Sequence, residues 1–381
     1  MAEIEIGLGK QARRAFELAD ITVVPSRRTR DPECVDIGWD IDAFRFELPL
    51  VAAPCDSVVS PATAIQIGRM GGVAALHLEG LWTRHAKPEP ILDEISHLVP
   101  GSQAAVARLQ QLYLAPVDPE LVLERIGQIN DAGVVSCAAV SPQGAQSLAK
   151  HVVDAELDLL LIHGPVVSAE HVSKAEEPLN LKTFVREFDL AVIVGGCASY
   201  QAALHLMRTG AAGVVVGVGG GGGARNVTAG VLGIGAAQAT AISDVQAARM
   251  RHLDETGVYV HVIAYGGMAT GGDMAKAVSC GADAVMLSGP LAAATDSPGR
   301  GRHWTISAIH PTLPTGDLVQ VDQVGSLQQV LSGPSDDPAG RLNLFGAMRT
   351  AIATCGYESV KEFQKAEIVV RAAAGPARGG G

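Results

Sequence analysis

The sequence predicts an α/β fold of one domain, a (β/α)8 TIM barrel, from three observations. Short apolar runs alternate with helix-compatible segments along most of the chain. Eight such runs can be counted, and they are continuous enough to be buried on both faces, as parallel strands are. The last two lie in residues 259–290, YVHVIAYGGMATGGDMAKAVSCGADAVMLSGP, and each ends in a glycine or small residue. Two such strand ends side by side form a cradle for an anionic group, and the last two βα loops of a barrel are the usual place for a phosphate. Alternation does not by itself show closure, so an open doubly wound sheet is the alternative.

Composition narrows the class. A chain of 381 residues, 48% hydrophobic with 44 glycines, suits one large domain, and 4% aromatic content suits a core of Val, Ala and Leu. The net charge of -11, without a long basic run, argues against nucleic-acid and anionic-membrane partners, which select clustered Lys and Arg. The six cysteines (Cys34, Cys55, Cys137, Cys197, Cys280, Cys355) show neither CxxC nor zinc-like histidine spacing, so no disulfide framework and no metal is implied. There is no leader-like N-terminus and no apolar run of the roughly 18 residues a membrane helix needs, so a soluble cytoplasmic protein is expected.

Residues 1–47 read as an irregular entry segment whose arginines (Arg13, Arg14, Arg27, Arg28, Arg30) belong to surface or interface. The barrel is expected over 48–373 and a disordered tail over 374–381. Strand one, 48–53, leads through the turn Cys55-Asp56-Ser57 to a helix at 61–70, opened by Pro61, whose missing N–H is unpaired in a first turn anyway. Strand two, 72–78, ends at His77 and Glu79. The connection 80–126, with Pro88, Pro90, Pro100, Pro116 and Pro119, is long enough to cover something or to carry an insertion.

Strands three to six are expected at 134–140, 158–162, 190–194 and 213–218, with helices at 143–153, 181–187, 200–208 and 238–255. Strand four opens into a loop with His163, Gly164 and Ser168, strand five ends in Gly195-Gly196-Cys197, and strand six runs into a glycine tract ending at Gly223. Strands seven and eight, 258–264 and 284–287, flank a helix at 273–279. Residues 295–317, rich in Gly, Pro and polar groups, read as a lid or as a surface excursion. A last helix is expected at 343–355, and residues 360–373 close the domain.

Four stretches then carry a family likeness: ELPLVAAPCDSVVSPATAIQIGRMGGVAALH, VIVGGCASYQAALHLMRTGAAGVVVGVGGG, LGIGAAQATAISDVQAARM and VIAYGGMATGGDMAKAVSCGADAVMLSGPLAAATDSPGRG. In content and order they resemble the IMP dehydrogenase/GMP reductase family, over residues 4–370, and in particular its short IMP dehydrogenase-related branch. The connection 80–126 stands where longer members carry a CBS-domain pair and is too short to hold one. The resemblance implies a purine monophosphate, IMP or GMP, over the barrel mouth, with a nicotinamide cofactor, NAD or NADP, stacked beside it. It also implies hydride exchange at C2 through a thioimidate on a loop cysteine after strand six, and a homo-oligomer, a tetramer or octamer. Such covalent chemistry needs a thiolate within reach of the electrophilic carbon.

Carried over residue by residue, the phosphate and substrate contacts fall on Gly217, Gly219, Gly221, Tyr265, Gly266, Gly267, Ser288 and Gly289, and the cofactor contacts on Asp56, His163, Gly164, Gly195 and Gly196. The family's cysteine falls at Ala224 and the hydroxyl residues after it at Arg225 and Asn226. An alanine cannot attack carbon. Tyr265 stands where the family has an aspartate for the ribose hydroxyls, a loss of roughly 2 to 4 kcal/mol in binding unless compensated. Ser288-Gly289 inverts the family's Gly-Ser, which turns the phosphate toward the Gly289 N–H, and Cys197 replaces an asparagine.

Candidates for the missing chemistry are Cys55 and Cys197 as substitute thiols, Arg300 or Arg302 as a water-activating lid arginine, and His303 as a proton-transfer group or a surface histidine. Three functions remain open: an NAD(P)-linked purine nucleotide oxidoreductase, a non-catalytic nucleotide-binding or regulatory homologue, and an FMN-dependent barrel.

Overall fold

The computed structural model describes residues 3–172, 179–188, 190–219, 227–305 and 317–371. Eight strands form a closed parallel barrel: β1 (Leu50–Ala52), β2 (Val73–His77), β3 (Cys137–Val140), β4 (Leu159–His163), β5 (Ala191–Cys197), β6 (Gly213–Val216), β7 (His261–Tyr265) and β8 (Ala284–Leu287). Closure runs from β8 to β1, with Val285 opposite Leu50, Met286 opposite Val51 and Leu287 opposite Ala52. The open doubly wound alternative is thereby excluded. Nearly every strand residue is buried, and each large aliphatic side chain so placed contributes roughly 1.5 to 3 kcal/mol.

The helices start where the chain supplies a cap. Ser60 Oγ accepts from Thr63 N at 3.0 Å ahead of Pro61–Arg69, and Thr270 plays the same part for Gly271–Ser279. Strand limits differ from expectation mainly at β5, which continues through Gly195 and Gly196 to Cys197, and at β3 and β7, which start at Cys137 and His261 rather than at residues 134 and 258. Apolar content marks a strand, but its ends follow the neighbour that it pairs with.

The entry segment is more regular than its sequence suggests. It holds one hairpin, Glu3–Gly7 with Lys10–Arg13, and another, Trp39–Ile41 with Phe44–Phe46. Ile37, Trp39, Ile41 and Phe46 are buried, and Trp39 Nε1 donates to His261 Nδ1 at 3.2 Å, at the start of β7, so this second hairpin covers the N-terminal end of the barrel. Ile21–Val23 pairs with Ile368–Val370, so the closing residues include a strand. The long connection folds as three helices, Glu89–Ser96, Gln103–Tyr113 and Pro119–Asn130. Among the described residues no helix is long and apolar enough to cross a membrane.

Opposite the mouth sits a buried ion pair. Arg249 Nη1 reaches both Asp283 oxygens at 3.0 and 2.8 Å, while Tyr259 Oη, Gln364 Nε2 and the Val262 N–H also donate to that carboxylate at 2.7 to 2.8 Å. Removing one partner strands the other charge away from water, which costs about 3 to 5 kcal/mol. Asp283→Ala is therefore expected to lower the unfolding free energy measured in urea by that amount. A change below about 1 kcal/mol would show that water replaces the carboxylate freely.

Candidate active site

Parallel strands deliver all their C-terminal ends to one rim, and the sequence-predicted site residues are carried by that rim. Cys55, Asp56 and Ser57 follow β1, His77 ends β2, Ser141 follows β3, and His163 ends β4. Gly195 to Cys197 end β5, Gly217 to Gly219 follow β6, Tyr265 to Gly267 end β7, and Ser288 and Gly289 follow β8. Gly221 and Ala224 lie outside the described residues.

The glycines answer first to close packing of neighbouring backbones. A Cβ on Gly217 would stand 1.9 Å from the Tyr265 carbonyl oxygen, one on Gly195 2.5 Å from the Val215 oxygen, and one on Gly196 2.5 Å from the Gly217 oxygen. Their N–H groups are partly spent inside the fold, Gly217 N on Cys197 O at 2.9 Å and Gly196 N on Gly164 O at 3.0 Å. The Gly267 and Gly289 N–H groups have no backbone acceptor among the described residues, whereas Gly266 N faces the Met286 carbonyl across the β7–β8 ladder. Gly266 and Gly267 have φ of 99° and 73°, a region open to glycine. The donors suited to an anion are therefore those after β7 and β8.

Beside that corner a cleft of about 330 Å³ opens among the loops after β2, β3 and β4. His77, Glu79, Arg84, Tyr113, Ser141 and His163 supply its polar wall, and Gly164 is on its lining. The volume is near the lower end of the ~300 to 1,000 Å³ of small-molecule sites, so it accommodates one half of a dinucleotide. Tyr265 and His163 mark the border between corner and cleft, their rings edge to face at 5.5 Å and 68°. Burial pushes the Tyr265 phenol well above its usual range, and a hydrogen bond from Ser288 works against that shift. Ser288 thus serves the tyrosine.

Asp56 stands behind the cleft wall. It is 1% exposed, and its Oδ2 accepts from Leu81 N at 3.0 Å and from Tyr113 Oη at 2.5 Å. A Cβ on Gly80 would lie 2.2 Å from its Oδ1, so the glycine there makes room for the carboxylate. Burial raises the Asp56 carboxyl, with His77 the chief opposing influence. Its place is to hold Tyr113 and the turn after β2.

Several expectations need correction. Cys197 is buried and burial pushes its thiol up to about 12, so it is not poised as a thiolate, while Cys55 is buried at 1% exposure rather than presented to the cleft. His303 is a buried residue, 2% exposed, whose Nδ1 shares a hydrogen bond with Ser57 Oγ at 2.8 Å. Arg300 pairs with Asp93 at 2.7 Å on the surface, and Arg302 Nε donates to the Leu98 carbonyl at 3.3 Å, so both serve the helix Glu89–Ser96 and its end. Nor do residues 295–305 form a loose lid. Arg302–His303 pairs with Val319–Gln320, and Trp304, 1% exposed, donates from Nε1 to Tyr113 Oη at 2.8 Å. Residues 306–316 lie outside the described residues.

Sequence reasoning passed over Tyr113, Arg84 and Trp304. Their signal was available in an aromatic-poor chain: a tyrosine and a tryptophan inside two irregular polar stretches that flank the rim.

Comparison with known proteins follows the same lines. The model of the IMP dehydrogenase / GMP reductase domain matches residues 15–305. The chain is 50% identical to an uncharacterized oxidoreductase of Mycolicibacterium smegmatis, over 96% of this chain and 99% of that one. It is 23% identical to the inosine-5'-monophosphate dehydrogenase of Methanocaldococcus jannaschii, over 94% of this chain and 93% of that one. A crystal structure of an IMP dehydrogenase/GMP reductase-like protein from Corynebacterium glutamicum superposes with a TM-score of 0.91 at 44% identity, covering 97% of this chain and 98% of that one.

Two measurements test the site. Of the six cysteines only Cys34 is exposed, so a thiol reagent at neutral pH is expected to titrate one group in the native protein and six after unfolding. Fast labelling of Cys55 or Cys197 would restore them as nucleophile candidates. Burial also lowers His163 and His303 from 6.5 to about 4. Between those values the unfolded chain takes up protons that the native state does not, so stability falls as pH drops through that window. A Tm series from pH 6.5 to 4 should show the fall, with a shallower slope in His303→Gln; an unchanged slope would mean that His303 titrates normally.

Proposed function

Because the chain belongs to the IMP dehydrogenase/GMP reductase family of oxidoreductases, we propose that it binds a purine nucleoside monophosphate, IMP or GMP, with its phosphate at the corner after β6 to β8, and NAD or NADP in the adjoining cleft. The proposed activity is hydride exchange between the cofactor and C2 of the purine. One observation carries this reading: unspent backbone donors at Gly267 and Gly289 stand next to a cleft of about 330 Å³, with Tyr265 and His163 at the border. The cofactor supplies the hydride chemistry. His163 would hold it within a wall built by Glu79, Arg84 and Ser141, with Gly195 and Gly196 shaping the floor and Asp56 fixing the wall behind. We further propose a cytoplasmic homo-oligomer, a tetramer or octamer, without nucleic-acid or membrane partners.

A second reading, nucleotide binding without turnover, is favoured by the thiols. With Ala224 at the family's cysteine position and Cys55 and Cys197 buried, no described thiol is placed to form the covalent adduct. Tyr265 bears on both readings, since a phenol replaces the four acceptor positions of a carboxylate at the expected ribose site.

Calorimetric titration with IMP and GMP, followed by absorbance at the reduced-nicotinamide band after adding each cofactor, separates the readings. Binding with an absorbance change supports the oxidoreductase, binding with a flat band supports the silent binder, and no binding removes the purine nucleotide from both. Tyr265→Asp is expected to tighten monophosphate binding roughly 30- to 1,000-fold, the ~2 to 4 kcal/mol of two charge-assisted hydrogen bonds. A yellow purified protein would turn the assignment to FMN.

A further inference from the structure

Counting hydrogen bonds around the cleft shows which polar groups are left for a ligand. Glu79 accepts from Ser141 N at 2.6 Å and from Ser141 Oγ at 3.0 Å, and Ser141 Oγ in turn accepts from Gly144 N at 3.0 Å. Arg84 donates from Nε to the Glu79 carbonyl at 2.9 Å and from Nη1 to the Ala115 carbonyl. Tyr113 Oη donates to Asp56 and accepts from Trp304. Each of these side chains is engaged in building the wall.

His163 is different. Its Nδ1 lies 2.9 Å from the Gly195 carbonyl oxygen, and a carbonyl only accepts, so Nδ1 carries the hydrogen. In a neutral ring that leaves Nε2 as a lone-pair acceptor. Burial keeps the ring neutral, lowering it to about 4. The edge-to-face contact with Tyr265 holds the ring plane, and no described residue is hydrogen-bonded to Nε2. His163 is 4% exposed and lines the cleft, as does His77, 7% exposed, whose buried Nδ1 has no partner. An acceptor on the wall of a cleft is costly to cover with a ligand that leaves it unmatched, which makes it a selector for whatever matches it.

We propose that His163 Nε2 is the hydrogen-bond acceptor through which the cleft selects a ligand with a neutral N–H donor, a carboxamide such as that of nicotinamide, and rejects the corresponding carboxylate. A carboxamide offers N–H to the lone pair, whereas a carboxylate offers only oxygens and sets acceptor against acceptor. The inference rests on the cofactor reading above and makes His163 a specificity-determining residue of that site.

The test compares NAD with its deamidated analogue, in which the carboxamide is a carboxylate, by calorimetric titration of the full chain. NAD is expected to bind at least about 10-fold more tightly, the scale of one matched against one mismatched buried hydrogen bond. His163→Gln, which retains an acceptor, should keep most of that ratio, and His163→Leu should bring it close to one. Equal binding of both dinucleotides by the unaltered protein, or preference for the carboxylate through Arg84, overturns the inference and leaves the cofactor reading standing. Failure of both to bind removes the cofactor reading and the inference with it. The comparison within the unaltered protein decides the question even if His163→Leu does not fold.

Discussion

Pairing of β8 with β1 is the constraint on which the mouth of this barrel depends. With Leu287 set against Ala52, the chain closes a ring of parallel strands, and every strand end is brought to one rim. The corner after β7 and β8, where the phosphate is proposed, is then adjacent to the turn that carries Cys55, Asp56 and Ser57 after β1. From there the wall continues through His77 and Ser141 to His163. In an open sheet β8 and β1 would be separate edges, and no such continuous wall would exist.

The ring is tight enough to choose its own residues. Gly195, Gly196 and Gly217 occupy points where any side chain would collide with the backbone of the next strand or loop, so they are required by the barrel before any ligand is considered. Glycine at a strand end has two physical meanings, close approach of a ligand and close approach of another strand. The N–H groups separate them: Gly196 and Gly217 serve the fold, whereas Gly267 and Gly289 have donors to spare among the described residues.

A second layer of order comes from the segments outside the barrel. Tyr113, from the helical connection after β2, and Trp304, from the segment after β8, meet over Asp56, and Ser57 joins His303 on the same side. These contacts convert two stretches that look irregular into fixed walls. They also remove Asp56 and His303 from the surface available to a ligand, leaving one ring nitrogen each of His77 and His163 without a partner among the described residues of the cleft. The departures from the family at Tyr265 and Ser288 belong to the same pattern, since those two side chains are occupied with each other.

Strand identity, strand order and the glycine-marked rim were legible in the sequence, because apolar runs, turn residues and caps act over a few residues. The family could also be read there, since the motifs keep their order along the chain. The sequence could name Cys55, Cys197, His303, Arg300 and Arg302 as candidates, but it could not show how each side chain is engaged. That was decided by partners far away in the chain: Asp56 and Tyr113 are 57 positions apart, Trp304 and Tyr113 191, and Ser57 and His303 246. Local pattern determines which segments become strands and where the backbone can turn. Which polar atoms are consumed in holding those segments together, and which remain for chemistry, depends on closure, and only the tertiary structure contains it.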